Sequence, residues 1–437
     1  MPGMNAQSIH RRFYDLPAVV PADRPTEIVV RPLFEHSRFR PRGSYRIRHL
    51  AMERQSDADR KAETAVRPDA RGALRFTLRF AGEQEHVLRI GATVSGEKVT
   101  VASFRLYSLH EDLLERRPLK GDLHTHSCRS DGVEEPAYVA AAARREGLDF
   151  VALTDHSRYD ASLEAMEAFA GVDTDFRIYP GEEIHPPGNP IHMLNVGGRS
   201  SVVELFRRQP ARYRTEVAAI RKGLAGLPEG VDAAQYASCL WTFQKTREAG
   251  GLAVFCHPYW YWDDHFMAPG ALTDHLLAER PFDAVEVITS LNSVHTRTNM
   301  MENTYHTARY YEECGRGGPI PAIGVSDAHR VEGASDFGRC YTVVFPQSPE
   351  AADVIDSIRR GFSVAVENLP GLGARPHGPF RLVKLTHFLI REVFPAHDEI
   401  CREEGQRLLA HIARGGGAAA TSWRRPEAPR HRRRKPG

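Results

Sequence analysis

No stretch of this 437-residue sequence approaches the roughly 20 consecutive apolar residues that a membrane-spanning helix requires. The N-terminal text, MPGMNAQSIHRRFYDLP, lacks the apolar core of a secretory signal. Cysteine is sparse: Cys128, Cys239, Cys256, Cys314, Cys340 and Cys401 are scattered, with no C-x-x-C spacing. That pattern reads as reduced thiols in a cytoplasmic protein and argues against a disulfide framework. No internal repeat is evident. A large charge of either sign is also missing. The formal charge is +2, but residues 424–437 hold seven Lys or Arg and one Glu, and without them the chain has 51 bases against 55 acids. The body is therefore mildly acidic, which argues against a nucleic-acid-binding body and leaves such binding only to the basic tail. Hydrophobic content of 41% and charged content of 26% suit a water-soluble globular protein. The length implies two or three domains.

Residues 1–117 read as β-rich. In GALRFTLRFAG, Leu74, Phe76, Leu78 and Phe80 alternate with polar residues, the period of a half-buried strand. EIVVRPLF, EHVLRIGAT and EKVTVASF continue the pattern, and a small β-rich accessory domain is expected. From residue 118 to about 370, short apolar strands alternate with amphipathic helices. Pro136 to Glu146 is helical text closed by Gly147, residues 203–249 form a helical stretch, and Ser348-Pro349 opens a helix whose apolar face is Ala351, Val354, Ile355 and Ile358. Repeated βα units imply a parallel sheet or barrel. Residues 371–414 are expected to form packed helices. Residues 415–437, rich in Gly, Ala, Pro and Arg, are expected to be disordered.

Chemistry concentrates in the α/β segment. GDLHTHSCRSDG places His124 and His126 two apart, and GVSDAHR does the same for Asp327 and His329. On extended chain such pairs project from one face. Between them come Asp155-His156 in ALTDHS, Glu182-Glu183 in PGEEIH, His192 in IHMLNVGG and His257 in FCHPYW. These candidates read as strand C-terminal ends, where barrel enzymes place their chemistry. Imidazole and carboxylate without thiolate suit Zn²⁺, Mn²⁺ or Fe in a multinuclear site, and hence a hydrolase. Asp155 reads as an orienting residue, Glu182 as facing away from Glu183, and Cys128 and Cys256 as packing residues. His185, Tyr259, Trp260 and Arg330 are candidates for the substrate pocket.

These motifs resemble the PHP (polymerase and histidinol phosphatase) superfamily of metal-dependent hydrolases over about residues 118–370, with wording similar to its carbaryl-hydrolase-like branch. The resemblance implies a distorted seven-stranded (βα) barrel holding two or three divalent ions. It assigns His124, His126 and Asp327 to the first ion, and His192 and His257 to the second, with Glu183 bridging the two. Asp131, His156 and His329 are assigned to the third. Glu183 and Asp327 would then act in catalysis through a metal-bridging hydroxide. Phosphoester hydrolysis of a small molecule is the favoured activity, because three ions can neutralise a phosphate dianion. Ester, carbamate or amide hydrolysis is the alternative. An amidohydrolase of another superfamily would need a metal-bridging lysine, and none stands at a strand end between His126 and Asp327. A non-catalytic binding or regulatory barrel is the remaining class, against which the full ligand set speaks.

Overall fold

The computed structural model describes residues 11–53, 56–262, 264–290, 296–333, 337–368 and 373–414. The tail expected to be disordered lies outside them. The described chain divides into two compact units: residues 11–116 with His387–Pro395, and Arg117–Thr386 with residues 396–414.

The first unit contains eight strands: β1 (Tyr14–Asp15), β2 (Val19–Pro21), β3 (Pro25–Pro32), β4 (Tyr45–Ala51), β5 (Thr64–Val66), β6 (Leu74–Arg79), β7 (Glu85–Val94) and β8 (Glu97–Leu109). They form a sheet ordered β2-β8-β7-β4-β5 and another ordered β1-β3-β6. Alternation places Leu74 and Phe76 inward beside Ile28 and Val30, in one apolar core with Ile47, Leu88, Ile90, Phe104 and Leu106 of the larger sheet.

One polar chain crosses this unit. His49 Nε2 lies 2.9 Å from His86 Nδ1, and His86 Nε2 lies 2.8 Å from Ser108 Oγ, whose hydroxyl donates to the Gly82 carbonyl at 2.6 Å. Because that hydroxyl proton is already committed, His86 donates to Ser108 and accepts from His49, which requires the His86 ring to be neutral. Burial, reinforced by His49, pushes His86 down to about 3. The unfolded chain takes up a proton near pH 6.5 that the folded unit refuses. Stability should therefore be full above pH 6.5 and fall on acidification towards pH 3, by about 1.4 kcal/mol per pH unit. Hydrogen exchange of the β7 amides across this range checks it. The slope should shrink in His86→Gln, and an unchanged slope would refute the assignment.

The second unit continues with β9 (Leu119–Asp122), β10 (Phe150–Ala152), β11 (Arg177–Tyr179), β12 (Gly181–Ile184), β13 (Met193–Val196), β14 (Leu252–Phe255), the hairpin β15 (Tyr261–Trp262) and β16 (His265–Phe266), β17 (Ala284–Ile288), β18 (Ala322–Gly324), β19 (Cys340–Val344), β20 (Ser363–Glu367) and β21 (Arg375–His377). It is a mixed α/β body with one sheet ordered β11-β10-β9-β19-β20-β21 and another ordered β12-β13-β14-β17-β18. Leu123, Phe150, Leu194, Val254, Ile323 and Val344, drawn from both sheets, share a core with Val354, Ile355 and Ile358 of the helix Ala351–Arg359. That helix begins later than the Ser348-Pro349 signal: Glu350 precedes it, and Ser348 instead accepts the Glu350 N–H at 3.3 Å. The helical text at 203–249 resolves into three helices, Val203–Arg208, Pro210–Lys222 and Ala233–Glu248.

The expected run of parallel βα units is interrupted. β12 pairs antiparallel with β13, and β13 antiparallel with β14, whereas β14, β17 and β18 are parallel. The link 185–192 is too short for the crossover a parallel pair would need, and it returns the chain as a hairpin. Two isolated bridges, Thr125 to Ala328 and His156 to Glu183, join the two sheets at the rim that carries the ligand-type residues.

Candidate metal centre

Glu183 is the hub of this rim. It is fully buried on β12, and six imidazoles surround its carboxylate. His156 Nδ1 stands at 2.6 Å, His192 Nδ1 at 2.8 Å, His124 Nε2 and His185 Nε2 at 3.4 Å, and His126 Nε2 and His257 Nε2 at 3.6 Å. Yet both Glu183 oxygens, His124 Nε2 and His192 Nδ1 are buried without a hydrogen-bond partner. The nitrogens approach off the direction a proton would take. A buried carboxylate with no hydrogen bond is costly, and convergent lone pairs are what a cation satisfies.

The other acids extend the cluster on either side. Asp327 Oδ1 lies 2.9 Å from His126 Nε2 and 3.2 Å from His124 Nε2, with His257 Nε2 3.9 Å from Oδ2. Asp131 stands 3.3 Å from His329 Nε2, 3.4 Å from His156 Nε2 and 3.9 Å from His126 Nδ1. Ligand atoms of His126, Asp131, His156 and His329 lie within 4.8 Å of one another, as do those of His124, His126 and Glu183. All nine ligand candidates thus meet along one rim. Two of them depart from the expected strand ends: Glu183 lies within β12, and His192 immediately precedes β13. Because β13 runs antiparallel, its N-terminal end reaches the rim that its neighbours reach with their C-terminal ends.

Charge is unevenly held. Burial pushes His126 and His192 down to about 4. Burial also opposes the charged form of His156, but Asp131 and Glu183 overcome it and lift His156 to about 10. Glu183 is held well below the ordinary carboxylate range: burial would raise it, and the surrounding imidazoles, His192 and His124 foremost, outweigh that.

The backbone supports this geometry at a conformational cost. His257 has φ +21° and Asp327 φ +50°, uncommon for residues with a side chain. Hydrogen bonds lock both turns: Asp327 N–H donates to His124 O at 2.9 Å, His126 N–H to Ala328 O at 2.9 Å, and His257 N–H to Glu286 Oε2 at 2.8 Å. Asp155 Oδ1 accepts from the N–H and hydroxyl of both Ser127 and Ser130, fixing the loop that presents Asp131. Glu182 turns the other way, towards Asn195, Ser201 and the Val202 N–H.

Several supporting residues carry no motif signal. Glu286 reaches His124 Nδ1 at 2.8 Å while holding the His257 backbone, and so orients a ligand candidate on each side. Its one trace in the sequence is an acid inside the apolar strand text FDAVEVIT. Asp122 accepts the His124 and Ser326 N–H groups, tying the ends of β9 and β18, and burial lifts it to about 7. Glu302 and His306, one turn apart on the helix Thr296–Gly317, accept the Tyr261 and Tyr259 N–H groups at 2.8 and 3.0 Å. They brace the turn that follows His257. No spacing in the sequence marks them, because they sit among ordinary helical residues.

Among the pocket candidates, Trp260 packs its ring 5.0 Å from that of His192 and 5.5 Å from that of His257. Tyr259 turns instead towards His306 and Phe266. His185 joins the cluster itself, and Arg330 is exposed.

No family model matches the chain. The DNA polymerase/3'-5' exonuclease PolX of Bacillus subtilis is 31% identical over 121 residues, 26% of this chain and 19% of that protein. The chain thus spans about a fifth of that relative's length. An uncharacterized protein of Methanocaldococcus jannaschii, MJ1587, is 29% identical over 154 residues, 32% of this chain and 68% of that one. A solved two-domain protein from Bacteroides vulgatus, described as containing a predicted PHP-like metal-dependent phosphoesterase, aligns at 18% identity and TM-score 0.40 over 64% of this chain and 71% of its own. In the order and chemistry of its ligand motifs, the chain resembles the PHP metal-dependent hydrolases.

Proposed function

We propose that this chain is a metal-dependent hydrolase of phosphoesters. The observation that carries the reading is the buried Glu183 carboxylate, ringed by imidazoles yet without a hydrogen bond. His124, His126, Asp131, His156, Glu183, His192, His257, Asp327 and His329 would hold two to three divalent ions, and an all-nitrogen and oxygen donor set suits zinc, manganese or iron. Such ions supply Lewis-acid activation of water and neutralise charge on a phosphoryl or carbonyl centre. The chain's own part is to hold this constellation in place. Glu286 fixes the ring of His124 and the backbone of His257, Asp155 fixes the Asp131 loop, and Trp260 walls the cleft beside His192 and His257. A seven-stranded barrel with these residues on its rim is the architecture we infer for the α/β unit.

A second reading, hydrolysis of aryl esters or carbamates, is favoured by Trp260, whose buried Nε1 has no partner beside the candidate ligands. The test is turnover by chelated and then reconstituted protein, supplied with Zn²⁺, Mn²⁺ or Fe²⁺, against phosphomonoesters, phosphodiesters and aryl carbamates. Metal-dependent turnover of a phosphoester is expected. Carbamate turnover alone would establish the second reading, and failure to take up any metal would end both.

A further inference from the structure

We propose that His185 is an additional metal ligand, acting with Glu183 and His156 at a position that the nine motif residues leave unassigned. The inference rests on reading the cleft as a metal centre. His185 lies just beyond β12, two residues after Glu183, on the short link that returns the chain as β13. Its Nε2 stands 3.1 Å from His156 Nδ1 and 3.4 Å from Glu183 Oε1, while His156 Nδ1 is 2.6 Å from Glu183 Oε2. Two donors each about 2.1 Å from one ion are separated by roughly 3.0 Å at a right angle and 3.4 Å at a tetrahedral angle. Both contacts of His185 fall in that interval. The ring is held in place by stacking on His192, with centroids 3.8 Å apart and planes 20° apart. The carboxylate that His185 faces also calls for a ligand, since both Glu183 oxygens are fully buried and unpartnered, and ligand atoms of His156, Glu183 and His185 lie within 4.8 Å of one another. His156 faces two ways, with Nε2 towards Asp131 and Nδ1 towards Glu183 and His185. An ion held on the second side would link the pair of metals around Glu183 to the group around Asp131.

The rival account is a plain hydrogen bond between His185 and His156. Three full-length proteins separate them: wild type, His185→Gln and His185→Cys. Glutamine preserves hydrogen bonding but is a poor ligand for a transition metal, whereas a thiolate binds strongly. The side chain of His185 is about one-third exposed, so neither change threatens folding. Titration with Co²⁺ is expected to show one equivalent weakened roughly tenfold or more in His185→Gln, the loss that even an outer partner of a ligand can cause. His185→Cys should regain that equivalent and add a sulfur-to-cobalt charge-transfer band absent from the wild type. Unchanged cobalt affinity in His185→Gln, or no new band in His185→Cys, overturns the role of His185 while leaving the metal centre intact. A wild type that binds no cobalt overturns the metal centre itself.

Discussion

Glu183→Gln is expected to lose more than one metal ion per chain and to reduce turnover by about three to four orders of magnitude, about 4–5 kcal/mol of transition-state stabilisation. The size of the effect follows from position. Among the described residues, no other carboxylate of the cleft touches as many imidazoles: Asp327 approaches four and Asp131 three, whereas Glu183 meets six. Glutamine keeps the volume and removes the charge, so the strands should pack as before. Elemental analysis of the purified variant, alongside its circular dichroism spectrum, checks the expectation. Loss of a single ion would show that Glu183 serves one metal only. Turnover within tenfold of wild type would show that the cleft is not where hydrolysis occurs.

The second large effect is on stability and lies outside the metal cleft. Arg144, buried on the helix Pro136–Arg145, pairs with Glu404 at 2.7 Å and with Asp149 at 3.0 Å, and donates to the Leu148 carbonyl at 2.9 Å. Asp149 is shared with His397, whose Nε2 lies 2.8 Å away, and Lys120 reaches the neighbouring Asp398. One buried guanidinium thus ties the first helix of the α/β unit to the helix Phe394–Ala413. Arg144→Met should cost about 3–5 kcal/mol, because it leaves the buried Glu404 carboxylate without its cation and Asp149 with His397 alone. Thermal unfolding followed by tryptophan fluorescence should show a midpoint lower by about 5–8 °C. A shift under 2 °C would mean that water or the neighbouring cations compensate. Metal content should be unchanged in whatever fraction remains folded.

The cleft was legible in the sequence to the extent that its residues sit beside punctuation. His124, His126, His156, His257, Asp327 and His329 each follow a short apolar run, and alternation on that run aims them. His192 was visible as a residue but not as a position, because strand direction depends on pairing partners that the local text does not name. Glu286 shows in the sequence only as an acid inside the apolar strand text FDAVEVIT, with no spacing that ties it to the ligand candidates. Glu302 and His306 looked like nothing, since helical spacing of polar residues is what a solvated face also shows. The apolar alternation of Leu74, Phe76 and Phe80 foretold a buried sheet face in the N-terminal unit. It could not foretell the His49–His86–Ser108 chain, which three separate strands assemble.

The left-handed backbone at His257 and Asp327 has an evolutionary consequence. Each is strained by of order 1–3 kcal/mol, and glycine would relieve the strain while deleting the side chain the cleft uses. On the proposed metal-centre reading, loss of function at these two positions therefore comes with a gain in robustness. A lineage released from selection for catalysis should drift to glycine or asparagine there sooner than at His124 or His156, where no backbone strain rewards the change. Positions 257 and 327 then act as a clock for disuse. A homologue carrying glycine at both, with its apolar strands intact, would be a stable relic that had outlived its chemistry.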